Sequence, residues 1–271
     1  MATSPAVVFG HPDFAKNVQA EFPKLFEVLP RLSAALNDLT VRAVEKPEPH
    51  QRVILNLGLL AGVTMTELVT LAGNGFGQGA IKIARTLMET VVNAEYLRLN
   101  PAELDAYLGW AWVEKMKDLT YMRENLKYLL PQFTEAELKT IETNYDGVRP
   151  LFAKPNGDIR STWSTLNLAN RAQRVGLAAM YGRLNRLSSG FIHANISGLT
   201  RHFNTKEDID RIATPPSLDY CDIALISGHH FTCFVVETLG KTFGWEPVHS
   251  IASLLADFNY AWPAPEPQKA G

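Results

Sequence analysis

The stretch VILNLGLLAGVTMTELVTL, residues 53–71, is the most apolar part of the chain and decides its fold class. Asn56 and two glycines interrupt it, and its charge-free run ends at Glu67. That run is shorter than the ~20 apolar residues that span a bilayer. We therefore predict a central core helix, and we expect no membrane association.

The segments on either side have the same helical character. Proline and glycine separate stretches with a 3.6-residue apolar period, and no series of short alternating β-branched runs suggests a sheet. We predict an all-α, single-domain helical bundle with an N-terminal segment 1–48, a main bundle 49–260 and a mobile tail 261–271. The predicted helices are 13–29, 30–44, 49–72, 79–99, 102–130, 134–144, 162–192, 217–243 and 247–258.

Length and composition restrict the class of protein. The chain has 271 residues, of which 46% are apolar, so it can bury a core without metals or disulfides. Its two cysteines, Cys221 and Cys233, are separated by ~18 Å along one predicted helix, too far for a disulfide within it. The N-terminus lacks the basic and apolar regions of a secretory signal. We expect a cytoplasmic protein with reduced thiols.

One block of the chain has a single sign of charge. Residues 159–206 contain no Asp or Glu, although the whole chain has a formal net charge of −2. The block's positive residues are Arg160, Arg171, Arg174, Arg183, Arg186, Arg201 and Lys206. Such a block predicts affinity for an anionic ligand or partner. The predicted loop 194–216 follows the basic helix, and loops of this length are usually functional or disordered.

The string RLNRLSSGFIH, residues 183–193, places Arg186 and His193 seven residues apart. On a continuous helix they lie within ~20° of the same face. The string resembles the Arg-x(4–6)-His signature of HEPN-domain proteins, small helical bundles that include metal-independent ribonucleases of toxin and defence systems. Leu187 departs from that signature, which usually has a polar residue there. The resemblance implies a homodimer in which Arg186 and His193 meet across a cleft, without metal or cofactor.

Such a pair has a coherent chemistry. An imidazole can move the proton of a ribose 2′-hydroxyl, and a guanidinium can stabilise the phosphorane. We assign these roles to His193 and Arg186, and phosphate positioning to Arg174, Arg183 and Arg201. The structural alternative stays open, because a histidine near a helix end is often packed or capping and an arginine often lies on a solvated face.

Two segments carry a second resemblance. GAIKIARTLMETVVNAEYLRLNP, residues 79–101, and YGRLNRLSSGFIHAN, residues 181–195, resemble an uncharacterised bacterial all-helical family, domain of unknown function 5677. This resemblance implies the fold class and suggests a polar centre formed by Arg85, Glu89, Ser189 and His193. The alternative for Arg85 and Glu89 is an intrahelical salt bridge worth only ~0.3–0.5 kcal/mol.

Other motifs predict structure rather than chemistry. The glycine string 73–79 lacks the residues and the preceding strand of a phosphate loop, so we predict a turn between helices. Adjacent His229 and His230 point ~100° apart on a helix, which disfavours a shared metal ion. We predict that one of them is hydrogen-bonded in the core, and that the chain has no metal site. We also predict core positions for Trp110, Trp112 and Trp163.

Two functional hypotheses follow, and a third class, a helical enzyme that acts on a small molecule, stays open because the interiors of helical bundles hold pockets that periodicity does not reveal. The first is a HEPN-like protein that binds RNA or another phosphate-bearing ligand, as a metal-independent endoribonuclease. The second is a non-catalytic helical interaction module, whose basic block docks on an acidic protein or on the chain's own acidic segment 103–146.

Overall fold

The computed structural model describes residues 12–42, 45–193 and 216–263. Over these residues the chain forms α-helices and short 3-10 helices without strands, which confirms the all-α prediction. The α-helices are α1 Pro12–Glu21, α2 Pro23–Val41, α3 Pro49–Gly73, α4 Gly77–Leu99, α5 Leu104–Asn125, α6 Glu135–Val148, α7 Leu168–Arg174, α8 Ala178–Ile192, α9 Cys221–Phe243 and α10 Ile251–Ala261. The 3-10 helices are Pro101–Glu103, Lys127–Gln132 and Arg149–Leu151.

The chain divides into two compact units, residues 1–98 with 172–271 and residues 99–171. The predicted long loop 194–216 falls outside the described residues except for its last residue. Most of the predicted tail also falls outside them.

Helices α3 and α9 form the centre of the first unit. They run antiparallel, since Gln51 Nε2 donates to the Thr242 carbonyl over 3.3 Å at one end, while Gly228 packs against Met65 and Leu68 farther along. A Cβ atom at Gly228 would lie 2.9 Å from Met65 Sδ, so the glycine permits the close approach. The prediction that residues 53–71 form a core helix is confirmed.

Helix α4 runs parallel to α9. Its first residue, Gly77, meets the backbone of Tyr220 and Cys221. Near its other end, Glu95 Oε2 accepts a 3.0 Å hydrogen bond from Thr238 Oγ1. The turn before α4 contains Gly75 at φ +77°, which agrees with the predicted helix-to-helix turn.

Helices α2 and α10 pack antiparallel to each other. Arg31 Nε donates to Asp257 over 2.8 Å, and the Tyr260 hydroxyl donates to Glu27 over 3.0 Å. The predicted break at Pro30 is wrong, because Pro30 lies inside α2. The apolar face of α2 is buried on both sides of this proline and holds the helix together. The break occurs instead at Phe22, before Pro23.

The predicted helix 162–192 is also wrong as a single element. Gly176 adopts φ +80° and ends α7, with Leu177 N donating to the Ala172 carbonyl over 2.7 Å. This is the left-handed glycine that commonly terminates helices. The basic residues therefore divide between two helices. Gly244, at φ +66°, ends α9 at Phe243, which agrees with the predicted bound of residue 243.

The second unit is built on α5 and α6. Thr134 and Glu137 form the capping box that begins α6. Trp163 is buried, as predicted, with its ring edge-on to Tyr107, whereas Trp110 and Trp112 are only half-buried. A cleft of about 480 Å³ lies between α5 and α6 and includes Trp112 in its lining.

By length and composition alone, α3 and α9 are each apolar enough to cross a bilayer. Core helices of soluble proteins satisfy the same criterion, so this observation is weak evidence for a membrane span.

Candidate functional site

Helix α8 carries the residues that the sequence nominated for chemistry. Its inner face packs antiparallel on the first half of α9, with Leu184 beside Ile223 and the Phe191 ring 5.0 Å from that of Tyr220. Ser188 is fully buried and its hydroxyl donates to the Asn185 carbonyl over 3.3 Å. Ser188 is thus a packing residue.

The outer face of α8 is basic and exposed. Arg183 and Arg186 are exposed on it, and Arg186 Nε donates to the Gly182 carbonyl over 3.1 Å. Arg174, at the end of α7, is exposed as well. Within the described ranges, none of these three guanidinium groups forms an ion pair with a carboxylate. No described carboxylate therefore neutralises them.

His193 immediately follows α8 and is exposed. Its backbone N–H donates to the Ser189 carbonyl over 3.1 Å and closes the helix. Because α8 is continuous from Arg186 to Ile192, the Arg186 and His193 side chains leave it on the same side, ~10 Å apart along the axis. The Arg186 side chain is directed toward Gly182, one turn before it and away from His193, so it must change rotamer to meet a phosphate beside the imidazole.

Two arginines of the basic block are used inside the protein. Arg171 is only 4% exposed, lies 4.7 Å from the Trp163 ring and donates to the Leu166 carbonyl over 2.7 Å. Arg160 donates to the Leu151 carbonyl over 2.7 Å. Both hold the non-helical segment before α7 in place. Arg201 lies outside the described residues, as do His202 and Lys206.

The four residues of the suggested polar centre lie on two helices of the first unit: two on α4, and two at the end of α8. Arg85 Nε and Glu89 Oε1 form a half-buried 3.1 Å ion pair on α4. The start of α4 and the end of α8 both adjoin Tyr220, and Glu89 lies twelve residues beyond Gly77. That spacing places Glu89 ~18 Å along α4 from this end. We therefore expect no direct contact between Glu89 and His193 within one chain. Ser189 is half-buried, one turn before His193.

The sequence reasoning missed Glu95. This side chain is 6% exposed, accepts two 2.7 Å hydrogen bonds from Arg98 and one from Thr238. Hydrogen bonding to Glu95 raises the pKa of Arg98. The apolar period of α4 could have predicted the burial of Glu95, because Glu95 lies at helical spacing from the buried residues Met88 and Val91. The cluster joins α4 to α9 and is structural.

One histidine of the adjacent pair is hydrogen-bonded in the core, as predicted. His229 is fully buried, its Nδ1 accepts from Trp262 Nε1 over 3.2 Å, and burial lowers its pKa to about 4. His230 is half-buried against Phe258. Across the described residues, no group of three His, Cys, Asp or Glu side chains is placed to hold a metal ion.

The cysteines do not form an activated nucleophile. Cys221 and Cys233 are free and buried, and desolvation raises their thiol pKa to about 11 and about 12. A thiol with so high a pKa is almost wholly protonated at neutral pH and is therefore a poor nucleophile.

Comparison with known proteins assigns a family. The model of a family of unknown function, DUF5677, matches residues 51–210, more than half of the chain. The chain belongs to this family. No curated protein and no solved structure matches it. In this DUF5677 chain the matched residues begin in α3 and extend beyond α8. They include residues 79–101 and 181–195, the two segments that resemble the family. The family description names no activity.

Proposed function

We propose that this DUF5677 protein is a cytoplasmic, HEPN-like, homodimeric helical protein that binds RNA or another phosphate-bearing ligand on the outer face of α8. The observation that supports it is the set of exposed arginines, Arg174, Arg183 and Arg186, without carboxylate partners in the described part of the chain. Guanidinium groups match phosphate oxygens in geometry and charge.

The proposed activity is metal-independent RNA cleavage of toxin or defence type. His193 accepts the proton of the ribose 2′-hydroxyl, and that oxygen attacks the adjacent phosphorus. Arg186 stabilises the additional negative charge of the phosphorane. The protonated imidazole then gives its proton to the departing 5′-oxygen, which leaves a 2′,3′-cyclic phosphate. Arg174, Arg183 and Arg201 position the phosphates, and Ser189 supports the site, while Arg85 and Glu89 form an ion pair within α4.

The test is an incubation of the protein with single-stranded RNA in EDTA. We expect the wild type to produce 2′,3′-cyclic phosphate ends, and His193→Ala and Arg186→Ala to lower the rate on the order of a hundredfold or more. Arg149→Ala, which removes an exposed arginine from the second unit, is the matched control and should leave the rate unchanged. Absence of cleavage by the wild type, or equal cleavage by His193→Ala, rejects the nuclease.

The second candidate is a non-catalytic module that docks the same basic face on an acidic protein. The conformation of Arg186 favours it, because Arg186 Nε donates to the Gly182 carbonyl, one turn away from Arg186 on the side opposite to His193. This module should bind an acidic polypeptide such as polyglutamate. Binding should survive His193→Ala and weaken in Arg183→Ala and Arg186→Ala. Binding of RNA but not polyglutamate would contradict it.

A further inference from the structure

The outer face of α3 is apolar, and no helix in the described part of the chain covers it. Helices α3 and α9 have mean hydropathies of 1.7 and 1.2 over their most apolar windows, but 72% of that window is buried in α9 and only 39% in α3. Leu59, Leu60 and Val63, in the middle of α3, are 46%, 48% and 59% exposed. An apolar patch of this kind is typical of an interaction surface.

The exposed residues form one continuous stripe. We call it the α3 stripe, and it consists of Arg52, Asn56, Leu59, Leu60, Val63, Thr66, Glu67 and Thr70. At ~100° per residue these eight positions fall within an arc of ~120°. The buried residues of α3 lie on the opposite side of the helix and pack on α9. The stripe is about 27 Å long.

The threonine hydroxyls on the stripe already have partners. Thr66 Oγ1 donates to the Gly62 carbonyl over 3.0 Å, and Thr70 Oγ1 donates to the Thr66 carbonyl over 2.8 Å. When the stripe is covered, both hydroxyls therefore keep their acceptors. This avoids the main free-energy cost of burying polar groups.

The charges indicate what covers it. Arg52 and Glu67 lie near opposite ends of the stripe, and neither forms an ion pair with another described residue. Both positions are equally distant from the midpoint between Leu59 and Leu60. In an antiparallel pair about a two-fold axis at that midpoint, Arg52 of each copy faces Glu67 of the other. A parallel pair would instead place like charges together.

We propose that a second copy of this chain docks on the α3 stripe, antiparallel and two-fold symmetric. Leu59 of each copy then packs on Leu60 of the other, and two Arg52–Glu67 pairs close the ends, as an isologous interface requires. A footprint of about 27 Å by about 10 Å is small beside that of a standard interface, so monomer and dimer should exchange at micromolar concentration. The surface is independent of the proposed phosphate site on α8.

The test is sedimentation velocity from about 1 to about 200 micromolar, in the range where a small interface dissociates. The mass of the wild type should rise toward twice that of the monomer. Arg52→Glu or Glu67→Arg alone should raise the dimer Kd about tenfold, because each reversal creates two like-charge contacts. The double reversal should restore the Kd to within about threefold, because it recreates both pairs.

Val63→Glu should abolish the dimer, while Leu255→Glu, at an exposed position on α10, is the matched control and should not change the mass. A wild type that is monomeric at every concentration, a dimer unaffected by Val63→Glu, or a double reversal that fails to restore association overturns the proposal. A monomer that sediments with phosphatidylcholine vesicles, and loses this in Val63→Glu, also overturns it and assigns the stripe to a lipid surface. His193→Ala should dimerise like the wild type, which separates this proposal from the nuclease.

Discussion

At the scale of single residues, His229 links stability to pH. Desolvation lowers its pKa from 6.5 to about 4 in the folded protein, although nearby Asp257 opposes the shift. The unfolded chain therefore binds a proton below pH 6.5 that the folded chain does not accept until about pH 4. The free energy of unfolding must fall as the pH decreases from 6.5 to about 4. The total change over this range is roughly 3 kcal/mol.

We predict that His229→Asn removes most of this dependence. The asparagine Oδ1 can accept from Trp262 Nε1 as Nδ1 does, but the amide does not titrate. In urea unfolding at pH 7 and about pH 5, the wild type should lose about 2 kcal/mol more than the variant. Trp262→Phe, the control, removes this donor but keeps a titratable imidazole, so it should cost about 1 kcal/mol at pH 7 and still lose stability between pH 7 and about pH 5. Equal slopes for His229→Asn and the wild type would disprove the assignment.

At the scale of helices, two glycines of α4 have opposite roles. An added Cβ at Gly77 would collide with backbone atoms of Asp219, Tyr220 and Cys221, which cannot move aside as a side chain can. At Gly79 it would meet only the end of the Leu71 side chain, whose Cδ1 would lie 3.6 Å away, an ordinary contact. The close approach of α4 to the start of α9 thus depends on Gly77 alone.

We predict that Gly77→Ala lowers the free energy of unfolding by more than about 2 kcal/mol, as overpacking does. Gly79→Ala should leave it unchanged or raise it by up to about 1 kcal/mol, because alanine is the better helix former. Thermal and urea unfolding measure both. Similar values for the two variants would show that the start of α4 is not held against α9.

At the scale of the whole molecule, a net charge of −2 implies that any binding of nucleic acid is local. Only phosphates that touch α7 and α8 then release counterions. With about three such contacts on single-stranded RNA, the slope of log K against log salt should be about −2, or roughly a twentyfold loss between 50 and 200 mM.

This prediction is checked by anisotropy of labelled RNA with the His193→Ala protein, which does not cleave. Arg183→Ala should reduce the slope by about 0.7, whereas Arg149→Ala should leave it unchanged. A much steeper slope, or one that Arg183→Ala does not alter, would place the RNA elsewhere on the molecule.

The sequence alone determined the features that depend on neighbours within a few residues. The apolar period identified α3 as a core helix, the predicted helix 134–144 begins within one residue of α6, and the predicted helix 217–243 ends where α9 does. The break at Gly176 was missed although its signal is local, because the apolar period continues on both sides of it. The mistaken break at Pro30 shows the limit of such signals, since burial of the α2 face overrides one proline.

Only the tertiary structure decided which side chains are accessible. Arg171 and Arg186 are equivalent in a charge pattern, yet one lies over the Trp163 ring and the other faces solvent. Glu95 meets Thr238, and His229 meets Trp262, through packing between helices that no local pattern encodes. The two sides of α3 likewise differ because α9 covers one and no described helix covers the other. Which side chains are buried depends on which helices pack together. The sequence specifies this packing only through the whole fold, not through any local pattern.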